Sequence, residues 1–188
     1  HVDNKVDPIS DAETVETELM LSDLESLEKR VPAFQKKAAQ GDKEAKAAAS
    51  VLGQALDLLR EGKPARLTQP KDDDEKRIFQ QAQLLTSKPV LYVCNVDEGA
   101  AAEGNEFSAR VFAKAEAEGA RAVIVSAAIE ADIVTMAPED RGEFLADLGL
   151  HETGLARVIR AGYDLLHLRT FFTCGPKEAR AWTIEAGS

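Results

Sequence analysis

Two short loops carry the residue types in this chain best suited to chemistry. Asn95-Val96-Asp97-Glu98 follows the apolar run Pro89-Val90-Leu91-Tyr92-Val93-Cys94, and Ser126-Ala127-Ala128-Ile129-Glu130 follows Ala122-Val123-Ile124-Val125. Amide, hydroxyl and carboxylate groups placed just beyond buried strands can read the edge of a nucleotide base through hydrogen bonds. Asn and Asp in such positions also start turns for purely local reasons. Two loops of this type on adjacent strands are a stronger signal than either alone. Asp97 and Glu98 raise a different chemistry, the acid/base pair of a small hydrolase. Neighbouring loop residues rarely converge on one substrate, however, and no nucleophile paired with a base is evident. A third candidate is the cluster Lys36, Lys37, Lys43 and Lys46 around Gly41-Asp42, a local positive patch able to meet RNA or an acidic partner. The same run also reads as a solvated helix face. Cys94 and Cys174 lie far apart with no Cys or His at ligand spacing, so they read as free thiols and no metal site is assigned.

The elements that position these residues follow from periodicity. Ser10-Asp11-Ala12-Glu13 has the form of a capping box and predicts a helix start at Ser10. Met20, Leu24, Leu27, Val31, Phe34 and Ala38 then recur at coiled-coil spacing, with charges between them. Pro32 removes an amide donor inside this helix and predicts a bend or an end there. Gly41-Asp42 supplies a stop followed by an N-cap, so the next helix runs back antiparallel, with the stripe Ala45, Ala48, Leu52, Ala55 and Leu59 as its seam. Gly62-Lys63-Pro64 closes it.

Beyond a polar linker over 68–74, a helix is predicted over 75–85 and a buried strand over 88–94. A helix over 106–118, broken by Gly119, and a second buried strand over 122–126 complete a βαβ unit, and with it a parallel sheet. Uniformly apolar strands of this kind belong to sheets covered on both faces, and ligands of such sheets collect at the strands' carboxyl ends. Residues 138–148 and 154–166 read as helices, buried through Phe144, Leu145, Leu148, Leu155, Val158, Ile159 and Leu165. Trp182 reads as a core residue rather than a base-stacking platform. His151 and His167 read as surface or packing residues.

Composition bounds these readings. The chain has 188 residues, 44% of them hydrophobic, enough for a core without metal or disulfide staples. Its net charge of −10, from 23 Lys and Arg against 33 Asp and Glu, excludes a generally basic nucleic-acid binder, and no DNA sequence recognition is expected. No apolar run approaches the ~20 residues of a membrane helix, and no signal pattern is visible, so a cytoplasmic location is expected.

The two loops and their flanks resemble the YchF/Obg-like ATPase family of P-loop nucleoside triphosphatases. The resemblance runs in order through Val6-Asp7-Pro8-Ile9, Thr17-Glu18-Leu19, Asp23-Leu24-Glu25, Gly41-Asp42-Lys43-Glu44-Ala45-Lys46, Lys88-Pro89-Val90-Leu91-Tyr92, Asn95-Val96-Asp97-Glu98, Ile159-Arg160-Ala161-Gly162-Tyr163 and the segment from Gly175 to Ile184. It implies an α/β fold: part of a P-loop NTPase parallel sheet, an inserted antiparallel coiled-coil hairpin and the beginning of a β-grasp TGS domain. The implied boundaries are 1–9 for the tail of the nucleotide-binding domain's first part, 10–66 for the hairpin, 67–167 for that domain's second part and 168–188 for a truncated TGS start.

GTPases read guanine with Asn-Lys-x-Asp, and here Val96 and Glu98 stand at the Lys and Asp positions. The longer carboxylate misplaces both acceptors, so the resemblance implies ATP in preference to GTP, with GTP still possible. It puts Asn95, Val96 and Glu98 on one side of the base and Ser126 and Ala127 on the other. It also matches His1 to a histidine implicated in hydrolysis, in the place of the water-orienting glutamine of Ras-like GTPases.

No stretch of the sequence contains the Gly-x-x-x-x-Gly-Lys-Ser/Thr loop that would wrap the phosphates and carry Mg²⁺. The chain thus reads as a window onto a longer protein, inactive by itself, whose whole would use ATP and Mg²⁺. The implied role is a ribosome- or RNA-associated switch docking through the hairpin and TGS surfaces. The competing class is a non-enzymatic interaction module acting through the hairpin alone.

Overall fold

A computed structural model describes residues 6–187, which fall into two compact units divided between Pro89 and Val90. Position 1 lies outside the described residues. The fold is mixed α/β, with many helices and one two-stranded parallel sheet.

The first unit is built on helices α1 (Pro8–Ala39) and α2 (Lys43–Arg60). The start of α1 differs from the Ser10 expectation. Asp7 is the N-cap, its carboxylate accepting the Ile9 N–H at 3.3 Å, and Pro8 takes the first helical position, where its fixed φ is favourable and its missing N–H costs nothing. Helix α1 also runs on through Pro32 to Ala39 instead of ending there. Leu27 and Val31 are buried just before Pro32, and the partly buried Phe34 packs against the same core just after it, so apolar packing offsets the lost bond. Asp42 caps α2 as anticipated, accepting the Ala45 N–H at 3.0 Å.

The anticipated α2 stripe is buried, but so are Val51 and Leu56, and the helix is therefore more than half of a two-helix seam. Its second face is covered by α3 (Asp73–Gln81), through Ile78, and by Ala65, Ala82 and Leu84 of the connecting segments. The expected helix over 75–85 is displaced and shortened. Asp72 caps it by accepting the Glu75 N–H at 2.8 Å, and the chain beyond Gln81 turns through a short 3₁₀ segment, Leu85–Ser87. The supposed linker is partly internal too: Thr68 is buried, and the Lys71 N–H donates to the buried Glu75 carboxylate at 2.8 Å. Asp23 of α1 is the polar pin of this unit. Only 3% exposed, its carboxylate accepts the Leu85 N–H, the Thr86 N–H and the Thr86 hydroxyl at 2.7–2.8 Å.

The second unit opens with β1 (Leu91–Asn95), α4 (Glu106–Glu118) and β2 (Arg121–Val125), the two strands pairing in parallel with Leu91 opposite Arg121 and Asn95 opposite Val125. The βαβ expectation holds. Full burial of the strands does not: Val93 is 50% exposed, because these two strands form the whole of this sheet among the described residues. Helices α5 (Ala127–Thr135), α6 (Arg141–Asp147) and α7 (Gly154–Leu165) follow. Ile129 and Ile133 of α5 form a core with Ala101, Leu145 and Leu150, and Phe144 and Leu148 pack against it. In α7 the expectation holds only in part: Val158 and Leu165 are half-buried, Leu155 and Ile159 are exposed, and Gly154 is the buried residue. The unit ends in the antiparallel pair β3 (Leu168–Cys174) and β4 (Ala179–Glu185). Trp182 is not a core residue: it is 44% exposed, its indole N–H bonds the Thr173 hydroxyl at 2.8 Å and the Arg180 guanidinium lies 5.9 Å from its ring.

Candidate nucleotide-base site

The carboxyl ends of β1 and β2 bring the two loops together. Parallel pairing continues one residue past β1, where the Val96 N–H donates to the Val125 carbonyl at 2.9 Å. This puts Asn95 beside the start of α5, and its side-chain oxygen accepts the Ala127 N–H at 3.0 Å. The bond does two things. It fixes the rotamer of Asn95, leaving its amide NH₂ as a donor, and it satisfies one of the amides that every helix start leaves without an intrahelical partner.

Ser126 is the N-cap of α5, only 2% exposed, and its hydroxyl is buried without a hydrogen-bond partner. A buried hydroxyl in that state costs on the order of 1–3 kcal/mol until something bonds it. Ala127 is exposed at the first helical position. Val96 is 8% exposed, so its side chain lies beneath the loop. Asp97 is extended, and Glu98 begins a single 3₁₀ turn, Glu98–Ala100, with its side chain in solvent. Asp97 and Glu98 are both exposed, and no pair of acid and base converges there.

Two close backbone approaches stiffen the site. Gly104 has φ +82°, and a Cβ there would fall 2.5 Å from the Ser108 Oγ and 2.8 Å from the Ile124 Cδ1. Only glycine satisfies both demands. It leads into the capping box of α4, in which the Asn105 side chain accepts the Ser108 N–H at 2.9 Å and the Ser108 hydroxyl accepts the Asn105 N–H at 2.8 Å. At Gly154 the limit is space: a Cβ would lie 3.1 Å from both the Glu130 Oε1 and the Val125 Cγ1.

Sequence reasoning gave no role to three residues that the fold gathers around the loops. Glu130, one turn into α5, accepts the Gly154 N–H at 2.6 Å and the Leu155 N–H at 3.2 Å. Thr153 caps α7 by accepting the Ala156 N–H at 3.1 Å. Arg157 reaches the Ala101 carbonyl, beyond the first loop, at 3.5 Å, and its Nε is buried without a partner. The Thr153-Gly154 pair at a helix start was a local signal for the cap. Glu130 lay within the second loop as read from sequence, but nothing local marked its reach to α7, or marked Arg157.

Among the described residues no group of three or more His, Cys, Asp or Glu could hold a metal ion. The donors gathered here, an amide and a hydroxyl over a buried valine, suit a neutral heterocycle and lack the charge a triphosphate needs. Lys36 and Lys37 lie in the last turn of α1 and Lys43 and Lys46 in the first turns of α2, all exposed at one end of the helix pair. They belong to the first unit and the loops to the second.

No family model matches the chain. It is similar along all of its length to proteins named ribosome-binding ATPase YchF: 46% identical over 188 residues to that of Haemophilus ducreyi, 45% over 188 to that of Escherichia coli O157:H7 and 42% over 189 to that of Bacillus subtilis. The chain spans 51% of each, about half the length of these curated relatives. Among solved structures, the Schizosaccharomyces pombe YchF GTPase matches all of this chain with 52% of its own, at a TM-score of 0.82 and 27% identity. With its paired loops on a parallel sheet and a likeness to these proteins along all of its own length, the chain matches a fragment, about half, of the YchF/Obg-like P-loop nucleoside triphosphatases.

Proposed function

We propose that the loops after β1 and β2 are the base-binding wall of a ribosome-associated nucleotide-binding protein, with adenine preferred over guanine. The observation that carries this reading is the bond from the Ala127 N–H to Asn95, next to the unpartnered Ser126 hydroxyl. The first fixes a donor, and the second leaves a polar group unused beside it. Glu98 supports the preference for ATP: it stands on a separate, exposed turn, where its longer side chain does not reproduce the guanine-reading carboxylate. In the whole protein the phosphates and Mg²⁺ would be held by a phosphate loop absent from these 188 residues. This chain supplies base recognition and lacks the phosphate loop that hydrolysis requires. Asn95→Ala in the protein at the length its gene encodes should weaken ATP binding about tenfold, the worth of one to two hydrogen bonds in a dry site. Unchanged affinity would refute the base-site reading.

The partner reading rests on the helix pair. Lys36, Lys37, Lys43 and Lys46 are exposed at one end of α1 and α2 on a chain of net charge −10, the pattern of a local docking patch for RNA or an acidic surface. The antiparallel β3–β4 pair is read as the opening of a TGS domain, a second docking surface. Reversing the four lysine charges should abolish co-sedimentation with ribosomes, whereas unchanged co-sedimentation sinks the patch.

A further inference from the structure

Helix α7 is tied to both loops, and one carboxylate makes the shorter tie. Glu130 sits one turn after Ser126, its own N–H donating to the Ser126 carbonyl at 3.0 Å. Its side chain takes the first two amides of α7, and Thr153 takes the third. A negative charge on the positive end of a helix adds to these hydrogen bonds. From the end of that turn, Arg157 reaches the Ala101 carbonyl beyond the first loop at 3.5 Å. The first turn of α7 therefore anchors α5 by its start and the Asn95 loop by its far end. The surrounding packing is tight, since a Cβ at Gly154 would lie 3.1 Å from both Glu130 and Val125 and one of them would have to shift.

The Ala127 amide that fixes Asn95 is the first of α5, so its direction is set by where α5 is held. We propose that Glu130 is a positioning residue for base recognition: by clamping α5 to α7 it aims the Ala127 N–H at Asn95 and holds the two loops at the separation a purine requires. The inference rests on the base-site reading above. It adds that recognition depends on a carboxylate that touches no part of the ligand.

The test uses the protein at the length its gene encodes, carrying Glu130→Gln, with Mg-ATP and Mg-tripolyphosphate titrated separately. Gln keeps the size of the side chain but offers one acceptor, and its NH₂ opposes the second amide. ATP affinity should fall about tenfold while tripolyphosphate affinity stays within about twofold, because only the base is misplaced. Amide exchange at Ala127 should speed up in parallel. A general loss of structure would lower both affinities together, and that result, or no change in either, overturns the proposal. Asn95→Ala is the companion measurement. If it leaves ATP affinity unchanged, the base-site reading fails whatever Glu130→Gln shows; if it weakens ATP and Glu130→Gln does not, only the positioning role fails.

Discussion

Replacing Asp23 by Ala should be strongly damaging to the first unit, and its magnitude can be worked from the structure. The carboxylate is 3% exposed and accepts from three donors: the Leu85 N–H at 2.8 Å on one oxygen, and the Thr86 N–H at 2.8 Å and hydroxyl at 2.7 Å on the other. Hydrogen bonds to a charged group contribute about 1.5–3 kcal/mol each, and bonds sharing one carboxylate do not add in full. Asp23→Ala should then cost about 3–5 kcal/mol, the usual range when a buried charged partner is removed and its donors are stranded. Asp23→Asn is the sharper probe. With its oxygen turned toward Thr86 it keeps two of the three bonds and sets its NH₂ against the Leu85 N–H, for a loss of about 1.5–2 kcal/mol. The Thr86 hydroxyl is fixed from the other side, since it accepts the Ala65 N–H at 3.0 Å, so it has little freedom to find a new partner. Urea unfolding followed by helical circular dichroism, extrapolated linearly to water, gives both numbers. A loss below about 1 kcal/mol for the Ala variant, or equal losses for Ala and Asn, would refute the view that this carboxylate pins the segment.

In α7, two glycines should answer the same substitution with opposite signs. Gly154→Ala forces a Cβ to 3.1 Å from Glu130 and Val125 and should cost about 1–3 kcal/mol, whereas Gly162→Ala meets nothing within 4 Å and should gain about 0.5–1 kcal/mol from helix propensity; urea unfolding of the two variants decides, and a shared sign counts against the close approach. The thiols should also separate. Burial pushes the Cys94 thiol above its ordinary pKa, so less of it is thiolate at any given pH, while Cys174 is exposed. An aromatic disulfide reagent at pH 8 should modify Cys174 about tenfold faster, with Cys94 gaining as pH rises further; equal rates would contradict the burial of Cys94.

The sequence by itself determined the elements whose signals are local. Asp42 caps α2 because an Asp after a helix-stopping glycine has one low-energy use, and α4 occupies Glu106–Glu118, between Asn105 and the left-handed Gly119, because both of its stop signals are encoded in adjacent residues. The βαβ unit and its two loops were legible for the same reason: strand runs, helix periodicity and turn residues all repeat within the unit. Where α1 begins was misread because two local signals compete, and Asp7-Pro8 prevails over Ser10 by placing the proline ring at the one position that favours it.

Only tertiary structure decided which faces are covered. Periodicity gave α2 one partner, yet Val51 and Leu56 are buried because α3 and the segment around Leu84 fold back over it. It gave α7 an apolar face, yet Leu155 and Ile159 point outward, Val158 and Leu165 are only half-buried, and Gly154 goes in against the strand end and Glu130. The clamp from Glu130 to α7 joins residues 24 and 25 positions apart, and the pin from Asp23 joins residues 62 and 63 apart. Such bonds leave no periodic trace in the sequence, since their geometry exists only once the intervening chain has packed. The two base loops were therefore readable from their own residues, while the groups that hold them in register came into view only in the folded chain.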